Sequence, residues 1–127
     1  MRKQYHFQPG ARRLDAWDVD RLVVLTRDLP VKQVPVAAIW QLDSVYWSET
    51  MTPREVAAHV RLTNEVEVHY PIILGSDGQV MDGMHRVLRA LLEGRESIDA
   101  VQFDLDPEPD FRDVTPEELP YPDAESH

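Results

Sequence analysis

The chain contains no cysteine. Disulfides, thiolate metal sites and every mechanism built on a cysteine nucleophile are therefore excluded, while the compartment stays undecided on that ground. Long hydrophobic runs are missing too, since no apolar stretch approaches the roughly 20 residues that cross a bilayer. The opening residues, Met1-Arg-Lys-Gln-Tyr-His-Phe7, lack the apolar centre of a secretory signal. A soluble, cytoplasmic protein with no membrane partner is the expectation. Positive charge is scarce: 13 Lys and Arg stand against 23 Asp and Glu, a formal charge of −10. Nine of the acidic residues lie from Asp104 onward beside one basic residue, Arg112, so residues 1–103 carry only −2. Without a basic stripe to neutralise a phosphate backbone, nucleic acid is a poor partner. There is no internal repeat. His59 and His69 show no metal-ligand spacing with each other or with His85, and no metal site is expected.

A length of 127 residues with 43% hydrophobic residues suits a single domain with a modest core. Residues 1–17 read as a polar, basic and loosely held lead-in. A helix is predicted over 18–30, capped by Asp18, with Val19, Leu22, Val23 and Leu29 on one side and Pro30 as its stop. Val34–Ile39 reads as a short strand near an edge, because it contains Pro35. Trp40 to Met51 has no clean period and reads as an aromatic-rich loop. Thr52-Pro-Arg-Glu55 signals a helix start, with Thr52 as cap, Pro53 at the first helical position and Glu55 returning a bond to the cap. Val56, Ala57 and Val60 carry that helix onward. Residues 105–127 are acidic and Pro-rich, with five prolines between Pro107 and Pro122. Such a segment builds no core of its own, although Phe111, Leu119 and Tyr121 can pin it to the domain. The fold class expected is α+β.

The stretch from Tyr70 to Gly94 carries most of the chemical information. Tyr70-Pro-Ile-Ile-Leu74 and Gln79-Val-Met81 flank Gly-Ser-Asp-Gly, which is hairpin chemistry. A helix follows that buries Met84, Val87, Leu88 and Leu91 and ends at Gly94. Ile98–Phe103 alternates as a final half-buried strand. The first turn of the helix gathers Gly83, His85 and Arg86 at its positive end, an arrangement suited to an anion, above all a phosphate. Met84 belongs to the same box, and Arg89 lies one turn on, toward either the same anion or solvent. Asp82 reads as an N-cap, as an orienting partner for Arg86, or as a group for proton transfer or magnesium.

The box Gln79-Val-Met-Asp-Gly-Met-His-Arg-Val-Leu-Arg-Ala90, in its strand–turn–strand–helix–Gly–strand setting, resembles the ParB/sulfiredoxin superfamily over residues 31–104. The resemblance implies a small mixed sheet packed with helices, and a Gly-x-His-Arg helix start that holds nucleotide phosphates. Sulfiredoxins carry a catalytic cysteine where this chain has Met84, so sulfinic acid repair does not transfer. ParB partition proteins have a glutamate there, and a following DNA-binding helical domain. The Asp-Gly-x-His-Arg pattern is most similar to the ADP-dependent free serine kinases, which use a carboxylate shortly after the first strand as base. Asp43 and Glu49 are the nearest counterparts.

Two classes of function follow. One is an enzyme that transfers or hydrolyses the terminal phosphoryl group of ATP, ADP or CTP with magnesium, with Asp82, His85, Asp43 and Glu49 as catalytic candidates and Gly83, Met84, His85, Arg86 and Arg89 holding the nucleotide. The other is a non-catalytic module that senses a nucleotide or small phosphorylated ligand, its acidic tail recruiting a basic protein partner. Trp40, Tyr46 and Trp47 are candidates for stacking on a base, though packing is the commoner fate of such residues. Nuclease action fits poorly, because no cluster of metal-binding carboxylates is visible.

Overall fold

The computed structural model describes residues 3–47, 50–67 and 70–121. It is mixed α+β, and the chain divides into two compact units. One combines the two ends of the chain, Met1–Asp28 and Asp106–His127, and the other is Leu29–Leu105. Among the described residues no helix is long and apolar enough to cross a membrane.

In the unit made by the chain ends, residues read from sequence as a lead-in form two strands, β1 (Tyr5–Pro9) and β2 (Leu14–Asp18), in an antiparallel hairpin. The acidic segment adds β7 (Phe111–Val114) to the other edge of β2. Short-range composition hides this sheet, because its third strand comes from the far end of the sequence. Side chains then fasten the acidic segment. The Trp17 indole donates to the Pro107 carbonyl at 2.7 Å, and the Asp110 carboxylate accepts from the Asp18 amide at 2.8 Å. The Asp113 carboxylate accepts from the amides of Arg12 and Arg13. Tyr5 meets Phe111 and Tyr121 edge-on, and Leu119 is buried. These are the residues expected to pin the tail.

The first helix, α1 (Val19–Leu25), is shorter than predicted. Asp18 caps it, accepting from the Asp20 amide at 2.9 Å. Its end comes before Pro30 has any influence, at Thr26, whose hydroxyl donates to the Leu22 carbonyl. Leu22 is buried while Val23 is exposed.

The Leu29–Leu105 unit is built on a four-stranded sheet in the order β3 (Lys32–Pro35), β6 (Ser97–Gln102), β4 (Ile72–Leu74), β5 (Val80–Asp82). β3 and β6 are antiparallel, as are β4 and β5, whereas β4 and β6 run parallel. The strand expected over Val34–Ile39 stops at Pro35, and Val36–Ala38 turns as a 3-10 helix. A second 3-10 turn covers Trp40–Asp43. The hairpin turn has Gly78 at φ +88°; the Gly75 amide donates to the Gln79 carbonyl and the Gly78 amide to the Gly75 carbonyl, both at 2.9 Å.

Two helices accompany this sheet. α2 (Pro53–Glu65) starts at Thr52, whose hydroxyl accepts from the Glu55 amide at 3.2 Å. α3 (Met84–Leu92) follows β5 directly and returns the chain to β6. Met84, Val87 and Ala90 line its buried side and join Val36, Ile39, Ile72, Leu74, Val80, Ile98 and Ala100 in one core. Leu91, expected inside, is half exposed, because the core-facing stripe runs at steps of three from Met84 and leaves it beyond the edge.

Candidate functional site

The loop Asp82-Gly83-Met84 forms where β5 hands over to α3. Gly83 occupies the N-cap position at φ +107°, ψ 21°, a conformation that L side chains avoid. No side chain caps this helix, so the expectation of Asp82 as N-cap is corrected. Asp82 instead holds Arg86, Oδ2 to Nη2 at 3.1 Å, and both side chains are about four-fifths buried (19% exposed each). The left-handed glycine explains the change: it turns the chain so that Asp82 still belongs to β5, one residue too early to reach the amides of the first turn.

The Arg86 guanidinium lies against the glycine. A Cβ added to Gly83 would sit 2.7 Å from Arg86 Nη2 and 3.0 Å from Nε, and 2.7 Å from Ile72 Cγ2 on β4. The amides of Arg86 and Val87 bond to the Gly83 carbonyl at 2.9 and 3.1 Å. The Met84 and His85 amides precede the first intrahelical bond, as the opening donors of any helix do. The Arg86 Nε is buried and has no hydrogen-bond partner among the described residues. Helix amides, positive dipole and an under-satisfied guanidinium thus share one turn.

Other members of the predicted box go elsewhere. The Met84 side chain is in the core, which leaves it only a backbone role. Arg89 is held by Glu93 at 3.1 Å and by the Asn64 carbonyl, so it fastens α3 to the end of α2 and does not reach back to the helix start. Asp43 is exposed in its 3-10 turn, and no hydrogen bond or ion pair among the described residues joins it to the box. Glu49 and His69 lie outside the described residues. Magnesium fits this set poorly, because the carboxylate at the turn is already engaged by Arg86, and no group of three or more metal-ligating side chains exists among the described residues.

His85 points away from Arg86 and toward α2. Its Nε2 lies 2.8 Å from Nδ1 of His59, a direct imidazole–imidazole hydrogen bond. The ring planes are 23° apart and the centroids 5.1 Å, a separation consistent with a head-to-head bond of that length. The Trp47 indole lies across both, with centroids at 4.0 Å from His59 and 4.9 Å from His85. Burial first, and the neighbouring His59 second, lower the His85 pKa below its ordinary value of 6.5. Beside them, Tyr46 packs edge-on to Trp47 and donates from its hydroxyl to the Val80 carbonyl at 3.3 Å. Burial, helped by the Asp82 charge, pushes its phenol up to about 12.

His59 is the site residue that sequence reasoning missed. The signal was present: Val56, His59, Val60 and Thr63 recur at helical spacing on one side of α2. Together with Trp47, Met51, Leu88, Leu91 and Leu92 they border a cleft of about 360 Å³. Comparison with family models, curated proteins and solved structures gives no match to this chain.

Proposed function

We propose that this chain is a non-catalytic binding module for a small phosphorylated ligand, a nucleotide being the expected class. The ParB/sulfiredoxin-like box suggested the ligand. The observation that carries the reading is the buried Arg86 Nε, left without a partner on the turn where α3 begins. A phosphate oxygen at that turn would meet the amides of the helix start beside the positive charge of the guanidinium. Asp82 supports the arrangement by holding the guanidinium on the glycine rather than in solvent. Gly83 supports it by removing the side chain that would occupy the same space.

The absence of catalysis in this proposal rests on the candidate groups among the described residues, which leave out Glu49. His85 is committed to His59, Asp82 to Arg86, and Asp43 is exposed and unconnected to the turn. None stands ready to take a proton from an acceptor hydroxyl.

Calorimetry with ATP, ADP and CTP tests the reading. Binding is expected for at least one of them, weakened roughly tenfold or more in Arg86→Ala, the scale of a lost hydrogen bond to a charged group. Arg86→Lys, which keeps the charge but loses the planar fork, should recover only part of the affinity. No heat with any nucleotide, or binding indifferent to Arg86, would overturn the proposal.

A further inference from the structure

We infer that the His59–His85 pair beneath Trp47 is a one-proton site that becomes charged when the entrance of α3 takes an anion. The inference rests on the phosphate-binding reading of that entrance and adds to it a coupling with pH.

The geometry sets the proton count. An N–H···N bond at 2.8 Å needs a hydrogen on one facing nitrogen and a lone pair on the other. A neutral pair satisfies this, and so does a pair carrying one extra proton, in which an imidazolium donates to a neutral ring. A second extra proton puts hydrogens on both facing nitrogens and two like charges on rings 5.1 Å apart. The pair therefore accepts one proton readily and resists the next. Trp47, stacked over both rings, presents its π face to the charge and offsets part of the desolvation.

Among the described residues, the surrounding groups neither supply nor cancel that charge. From the loop come Trp47 and Tyr46, the latter neutral up to strongly alkaline pH. From α2 come Thr63 and Asn64, both neutral, while Arg54, Glu55, Arg61 and Glu65 are exposed. On α3, Arg86 is held by Asp82, which belongs to β5, and Arg89 by Glu93. Burial, and the neighbouring His59 after it, lower the His85 pKa, so an anion that favours the charged ring works against that shift. His85 is also the second residue of α3, so its backbone belongs to the anion-binding turn while its ring belongs to the pair. An anion on that turn stabilises positive charge on the pair, and by linkage a charged pair strengthens anion binding.

The test uses the whole chain and ATP as probe. Binding heat measured in buffers of different ionisation enthalpy should show uptake of a fraction of a proton in the wild type and less in His85→Gln, a difference that cancels the ligand's own titration. Affinity relative to His85→Gln should rise roughly two- to fivefold from about pH 7.5 to about pH 5.5, the range of a half-exposed charge interaction. His59→Phe keeps a ring under Trp47 but cannot share the proton, so its proton uptake should be smaller than that of the wild type. Proton uptake equal in wild type and His85→Gln would overturn the inference, and so would His59→Phe behaving as wild type. Imidazole nitrogen NMR of the free protein gives an independent reading. Two separate, ordinary histidine titrations would sink the one-proton site even if ATP binds. No ATP binding at any pH would instead remove the reading of the entrance, and the coupling with it, while a shared-proton NMR signature would still stand.

Discussion

Replacing Gly83 with alanine tests the geometry of the α3 entrance without reference to any ligand. Two costs are expected, and they have separate origins. An L residue at φ +107° is held in the left-handed region at about 1–2 kcal/mol. The new Cβ also lands 2.7 Å from Arg86 Nη2 and from Ile72 Cγ2. The guanidinium ends a flexible chain and can move aside. Ile72 cannot, because it is fully buried between strands and α3, and such overpacking costs about 1–3 kcal/mol. The sum is about 2–5 kcal/mol. Gly78 supplies the control: its φ is +88°, but nothing lies within 4 Å of an added Cβ, so Gly78→Ala should cost only the backbone share, about 1–2 kcal/mol. Urea unfolding of both variants, read as the shift in midpoint at constant slope, isolates the Ile72 contact by difference. If the two variants agree within about 0.5 kcal/mol, near the uncertainty of the extrapolation, the close packing described around Gly83 is wrong.

Three further outcomes are expected. Thr52→Ala removes the acceptor for the Glu55 amide and should lower stability by about 1 kcal/mol in the same urea assay. Tyr46, pushed up to about 12, should ionise well above the ordinary tyrosine value of 10.0 in a spectrophotometric titration, and Tyr46→Phe should remove that step. Because the unfolded chain ionises this phenol near its ordinary value, its contribution is complete below that value and is lost as pH rises toward 12. His85 works in the opposite direction. Its lowered pKa means that the unfolded chain takes the proton first as pH falls, so stability is retained above the ordinary value of 6.5 and declines below it. Melting temperature should therefore drop less on acidification in His85→Gln than in the wild type, and equal drops would contradict the burial of that ring.

Local signals were legible where a few neighbouring residues settle the outcome. Thr52-Pro53 starts α2, Gly-Ser-Asp-Gly turns the β4–β5 hairpin, and the spacing of Met84 and Val87 orients α3. The sheet of the terminal unit was hidden because β2 pairs with β7, a strand nearly a hundred residues further along. Long-range pairing leaves no mark in composition, and the acidic, Pro-rich surroundings of Phe111–Val114 argued the other way. At the site, the box Gly83–Arg86 located the turn, but not the directions of its side chains. Successive helical residues diverge by about 100°, so His85 and Arg86 could not both face one point on the helix axis. Asp82 then follows Arg86, and His85 follows α2.

That divergence bears on the kind of ligand the proposed site would favour. At rest the Asp82–Arg86 pair is neutral overall, and burial disfavours charge on His85. The entrance then offers chiefly the partial charge of the helix amides, worth little to a singly charged ligand exposed to water. A ligand with several phosphate oxygens can do more. It can lie beside the Arg86 charge while Asp82 keeps Nη2, occupy the helix amides, and draw a proton onto the imidazoles. Each of these gains grows with the charge delivered to the turn, so the proposed arrangement discriminates by charge density rather than by shape. Di- and triphosphates should accordingly bind more tightly than monophosphates of the same nucleoside, and more so at mildly acid pH.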